Sequence, residues 1–88
     1  MKTFKDLDFK AHSVSGKHAT YHFDNKYGVS VICGHMFYSN GVDTYELAIL
    51  YNGQITYNTD ITNDVIGNLT ADQVTDVMIK VQQFLPHY

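Results

Sequence analysis

Thr44-Tyr45-Glu46-Leu47-Ala48-Ile49-Leu50-Tyr51-Asn52-Gly53-Gln54-Ile55-Thr56-Tyr57-Asn58-Thr59 decides the fold. A β-rich run of eight residues leads into Asn52-Gly53, and the alternation resumes after it. Asn-Gly suits a two-residue type I′ turn, whose central residues both need positive φ. The reading is therefore a hairpin of strands 44–51 and 54–59, with Leu50 facing Ile55 and Tyr51 facing Gln54. Ala48, Leu50, Ile55 and Tyr57 then line one face. Tyr45, Leu47, Ile49 and Tyr51 line the other. Strand 44–51 is thus apolar on both sides, although a sheet with a single helix normally leaves one face polar.

Upstream, His18 to Phe23 alternates, with Ala19, Tyr21 and Phe23 on one side and Thr20 and His22 on the other. Asp24-Asn25-Lys26-Tyr27-Gly28 reads as a turn. A strand over 29–37 follows, with Val29, Val31, Cys33 and Phe37 sharing a face and Gly34 marking a bend or bulge. Near the start, Phe4, Leu7 and Phe9 suggest a turn and a short strand over 7–12. Residues 60–68 read as polar punctuation around Val65 and Ile66.

A helix over 71–85 closes the chain. Thr70-Ala71-Asp72-Gln73 fits a capping box with Thr70 at the N-cap. Val74, Val77, Met78, Val81 and Leu85 recur at helical spacing, and Pro86 ends the run. The expected fold is α+β: one domain over 1–88, a four-stranded antiparallel meander with a C-terminal amphipathic helix on one face.

The chain has 88 residues, of which 44% are hydrophobic and 17% charged. That is globular composition, too short for two cores. No apolar run reaches the roughly 20 residues of a membrane span. Met1-Lys2-Thr3-Phe4-Lys5-Asp6 meets charge before an apolar stretch forms, unlike a secretory signal, so a cytoplasmic setting is expected. Net charge is −3, and all six basic residues are lysines. Five lie in the first 26 residues, and the remainder of the chain is acidic. Arginine, the usual bidentate reader of phosphate and guanine, is missing, which argues against nucleic-acid binding. DNA mimicry would need a denser acidic stripe than −3 provides.

Phe4-Lys5-Asp6-Leu7, Phe9-Lys10-Ala11-His12, Tyr27-Gly28-Val29-Ser30-Val31-Ile32, Tyr45-Glu46-Leu47-Ala48-Ile49-Leu50 and Tyr57-Asn58-Thr59-Asp60-Ile61-Thr62-Asn63-Asp64-Val65-Ile66-Gly67-Asn68-Leu69-Thr70 together resemble a family of small, mostly uncharacterised accessory proteins of tailed bacteriophages. The Asp60–Thr70 stretch is the most specific part. The chain departs from the family pattern in having Asp60 within a segment where proline is usual. The resemblance brings no catalytic residues. It implies expression in an infected bacterium, where such proteins bind and redirect host machinery or block host defence.

Chemistry-bearing residues are sparse. His18 and His22 are four apart, and Cys33 and His35 two apart, so strand spacing alone allows a zinc site. Structural zinc favours several thiolates, however, and Cys33 is the single cysteine. Mid-strand beside Val29 and Val31, Cys33 reads as a buried small hydrophobe rather than a nucleophile. Asp60 and Asp64 lack an EF-hand pattern and suit turn capping. Asn68-Leu69-Thr70 matches a glycosylation sequon by coincidence in a cytoplasmic chain.

The expectation is accordingly a non-enzymatic binding protein with no cofactor and no metal. Its partner would be a host or defence protein, with a homodimer as a further possibility and neither nucleic acid nor membrane involved. The alternative is a small oligomeric structural or assembly accessory protein. The candidate interaction surface is the stripe Tyr45, Leu47, Ile49 and Tyr51. Two covers compete for that stripe: another chain, or the N-terminal segment carrying Phe4, Leu7 and Phe9.

Overall fold

Val29 stands between Tyr21 on one neighbouring strand and Ile49 on the other, and this register organises the sheet. The computed structural model describes residues 1–11, 16–34, 39, 42–56, 59 and 65–84. Among these residues six strands appear: β1 (Lys10–Ala11), β2 (Lys17–His22), β3 (Tyr27–Cys33), β4 (Tyr45–Tyr51), β5 (Gln54–Ile55) and β6 (Ile66–Leu69). A 3₁₀ turn (Phe4–Asp6) precedes them and one helix, α1 (Ala71–Gln82), follows. All pairings are antiparallel, in the order β1-β2-β3-β4-β5, with β6 also on β4. The architecture is α+β: an antiparallel sheet with one C-terminal helix.

The Asn52-Gly53 hairpin forms with the expected register, Leu50 opposite Ile55 and Tyr51 opposite Gln54. Asn52 and Gly53 take φ of 52° and 83°, as a type I′ turn demands. Among the described residues the outgoing strand covers Gln54–Ile55. Regular pairing stops at Ile55, and Thr56 N–H adds one bond to the Ile49 carbonyl at 2.9 Å. Tyr57 and Asn58 lie outside the described residues, as do His12, His35, Phe37, Asp60, Asp64, Leu85 and Pro86.

The four-strand expectation missed two short strands. β1 is two residues long. β6 falls where polar punctuation was expected, and takes the half of the β4 edge that β5 leaves: Leu69 sits opposite Tyr45 and Ile66 opposite Leu47. Asn68 holds φ 57°, and the register shifts between Tyr45 and Leu47. Gly67 and Asn68 are turn formers, so β6 carries none of the β-branched alternation that marks a regular strand.

α1 starts as its capping box dictates. Gln73 N–H donates to Thr70 Oγ1 at 3.3 Å, and Thr70 N–H donates to Gln73 Oε1 at 2.9 Å. Val74, Met78 and Val81 are fully buried, while Val77 is half-buried. The helix ends at Gln82, not at 85. Asn25, in the β2–β3 turn, donates its side-chain amide to the carbonyls of Val81 and Phe84 at 2.9 and 3.1 Å and so captures the last turn.

The N-terminal segment runs along α1. Lys2 and Gln82 exchange two bonds of 2.8 Å between the Lys2 backbone and the Gln82 amide, and Phe4 N–H donates to Thr75 Oγ1 at 3.0 Å. The Phe4 and Phe9 rings lie 5.0 and 5.6 Å from the Tyr45 ring. Helix and N-terminal segment therefore cover the same face of the sheet.

Candidate interaction surface

The expected stripe is the centre of the core. Tyr45, Leu47 and Ile49 are 6%, 0% and 1% exposed, packed beneath α1 and the two N-terminal phenylalanines. Tyr51 is half-buried, with its ring 5.0 Å from that of Tyr27. Of the two competing covers, the N-terminal segment is the one in place. Tyr45, Leu47 and Ile49 are thus withdrawn from any partner while the fold is intact, and Tyr51 keeps part of its surface exposed. Burial pushes the Tyr45 phenol above its usual pKa, with smaller contributions from Cys33 and Asp43.

The opposite face follows from the same register. His18, Thr20, His22, Gly28, Ser30, Ile32, Glu46, Ala48, Leu50 and Ile55 alternate with the core residues and point away from α1. Across it Ile32 pairs with Glu46, Ser30 with Ala48, and Leu50 with both Gly28 and Ile55. Ala48 and Leu50 are buried yet do not belong to the core cluster, and Ile55 is 48% exposed. Strand β4 is therefore apolar on both sides, as its sequence requires. The helix simply took the Tyr45 side.

The sheet itself separates the residues of the conceivable zinc site. His18 and His22 lie on the face away from α1, whereas Cys33 is 2% exposed on the core face with Val29 and Val31. Among the described residues no cluster of three His, Cys, Asp or Glu could hold a metal ion.

A third feature was not anticipated. β1 pairs only with Lys17 and His18 of β2, leaving the outer edge from Ala19 to His22 without a neighbouring strand among the described residues. Two clefts lie along this edge. The larger, about 480 Å³, is bounded by Tyr21, His22 and Phe23 on one side and by Lys2 and Asp6 on the other. The smaller, about 240 Å³, lies between Asp8, Lys10 and His18–Thr20. Asp6 serves the wall of the larger cleft: its carboxylate accepts the Thr3 N–H at 2.8 Å. That bond holds the carboxyl below its ordinary pKa, partly opposed by desolvation and helped by Lys2 and Lys5.

Among the described residues no helix is long and apolar enough to cross a membrane. No protein-family model, curated protein or solved structure matches the chain.

Proposed function

We propose that this chain is a non-enzymatic, phage-encoded binding protein that acts in the cytoplasm of an infected bacterium by inhibiting or modulating a host or defence protein. One observation carries the reading: β4 is apolar on both faces, and α1 covers only one. The band of Ile32, Ala48, Leu50 and Ile55 on the other is already buried within the chain at Ala48 and Leu50, so a partner would meet its rim, half-buried Ile32 and 48%-exposed Ile55, set among His18, Thr20, His22, Ser30 and Glu46. An apolar band rimmed by polar, mostly uncharged side chains has the composition of a protein interface rather than of a phosphate or nucleic-acid site. The polar groups around α1 and the N-terminus have structural work: Asp6 caps the first turn, Asn25 closes the helix, and Thr75 and Gln82 anchor the N-terminal backbone. The phage context comes from the sequence resemblance.

The test has two stages. Cross-linking of the chain in infected cells identifies a stoichiometric partner, and calorimetry with the purified pair then compares the parent with Ile55→Asp. The expected result is a loss of affinity of at least roughly tenfold with an unchanged melting temperature, because Ile55 is largely exposed. Recovery of homotypic assemblies alone would favour the assembly-accessory reading. An Ile55→Asp protein that binds like the parent would remove this face from the argument.

A further inference from the structure

We propose that the open edge of β2 pairs with the same edge of a second copy of this chain, joining two sheets across a two-fold axis through Tyr21. This inference uses a different surface from the Ile55 face and does not rest on the binding reading above.

The direction of the backbone groups decides which residues of β2 face its outer edge. In an antiparallel ladder, residues alternate between those that point both backbone groups at the neighbour and those that point both away. Phe23 N–H donates to the Tyr27 carbonyl at 2.7 Å, which fixes the phase of the β2–β3 ladder. Tyr21 and Ala19 then also face β3, and His18, Thr20 and His22 face outward. β1 takes His18, which sits opposite Lys10. Thr20 and His22 are left with an N–H and a carbonyl each at the edge, and no backbone bond from a described residue reaches them there.

That edge is self-complementary in one register. With Tyr21 on the axis, Thr20 lies opposite His22 of the second copy and His22 opposite Thr20 of the second copy. Both are the hydrogen-bonded type of pair, so all four outward groups of each chain find partners in four bonds. Moving the register by two residues either way satisfies fewer of them, because β1 blocks His18 on one side and the turn begins at Asp24 on the other. Side chains fit the same register. Ala19 falls opposite Phe23, a small residue beside a large one, and the two Tyr21 rings meet on the face that already carries the Tyr21–Phe23 contact of 5.4 Å. Thr20 and His22 alternate on the other face, with no like charges opposed.

Native edges are usually blunted by lysine, proline or a bulge. Residues 19–22 contain none of these. A five-residue ladder buries well under the roughly 1,200 Å² of a stable complex, so the dimer is expected to be weak and concentration-dependent.

Sedimentation equilibrium of the full chain, from micromolar to millimolar, reads the mass, and amide hydrogen exchange at the same concentrations reads the edge. The expected result is a monomer–dimer equilibrium in which the Thr20 and His22 amides become protected as concentration rises. Thr20→Pro removes one edge donor, used twice across the axis, and is expected to weaken dimerisation roughly 10- to 100-fold. Thr20→Lys, which keeps the amide, is expected to weaken it through the edge charge and covers the case of a misfolded proline variant. A mass that stays monomeric at millimolar concentration overturns the proposal. So does a dimer in which the two amides exchange as fast as in the monomer, or whose affinity neither substitution changes.

Discussion

The side-chain amide of Asn25 donates to the Val81 carbonyl at 2.9 Å, tying the β2–β3 turn to the end of α1 across 56 residues of sequence. The same amide reaches the Phe84 carbonyl, and Asn25 Oδ1 accepts the Tyr27 N–H at 3.1 Å. One half-buried side chain therefore closes the helix and shapes the turn that precedes the core strand.

Asn25→Ala should cost about 1–3 kcal/mol, since it removes two bonds to helix-end carbonyls and one to a turn N–H, although the Val81 carbonyl keeps its bond from the Phe84 N–H at 3.1 Å. Asn25→Asp should be at least as harmful at neutral pH. Its carboxylate keeps the Tyr27 bond but faces two carbonyl oxygens with no proton to donate. Urea denaturation at neutral and acidic pH checks this. An Asn25→Asp protein as stable as the parent at neutral pH would show that the helix end is held by other contacts.

Leu47→Asp separates a core residue from a surface residue. As part of an exposed stripe, Leu47 would accept aspartate and keep its strand content. Fully buried beneath α1, it cannot: an unpaired carboxylate there costs several kcal/mol, a large share of the stability of an 88-residue chain. Circular dichroism through a thermal ramp should show loss of the cooperative transition. A cooperative melt near that of the parent would return the stripe to the surface.

What was legible in the sequence is local. Asn52-Gly53 specifies its own turn by the φ values it tolerates, and Thr70 and Gln73 specify their own cap. What was illegible depends on distant partners. The helix stop at Gln82 is set by Asn25, which no helical periodicity registers. β6 exists because β5 releases the Tyr45 end of β4, and its Gly67-Asn68 pair reads locally as a turn. The burial of Tyr45, Leu47 and Ile49 was illegible for a related reason. Tyr45, Leu47 and Ile49 are as apolar as Ala48 and Leu50, so the pattern of β4 alone does not say which side receives the helix. Phe4 and Phe9 decide it by packing on Tyr45.

Acid should loosen that packing at its anchor. The Asp6 carboxylate accepts the Thr3 N–H, so its folded pKa lies below the ordinary value of 3.8. A depressed carboxylate pKa contributes stability that is present above the unfolded value and lost as pH falls through the folded one. The Phe4–Asp6 turn should therefore hold at neutral pH and weaken only below about pH 3.8. Asp6→Asn should remove this pH dependence. Ring resonances of Phe4 and Tyr45, followed by NMR through an acid titration, provide the readout. Identical titrations for parent and Asp6→Asn would show that the cap does not hold the segment.

Gly16 and Gly53 form a matched pair for a last test. Both hold positive φ, 73° and 83°, where a Cβ is disfavoured by roughly 1 kcal/mol. Their surroundings differ. A Cβ on Gly53 would meet nothing within 4 Å, because the hairpin turn projects into solvent. A Cβ on Gly16 would overlap the Cys33 carbonyl, a backbone atom with no freedom to rotate away, at the point where β2 enters the sheet beside β3. Gly53→Ala should thus cost only the conformational term, about 1 kcal/mol. Gly16→Ala should cost that term plus displacement of the Lys17–Cys33 pairing, roughly 3 kcal/mol or more in all. Denaturant midpoints for the two variants measure the difference directly. Equal costs would mean that Gly16 is retained for its backbone conformation alone, and that β2 does not enter the sheet as closely against Cys33 as the contact requires.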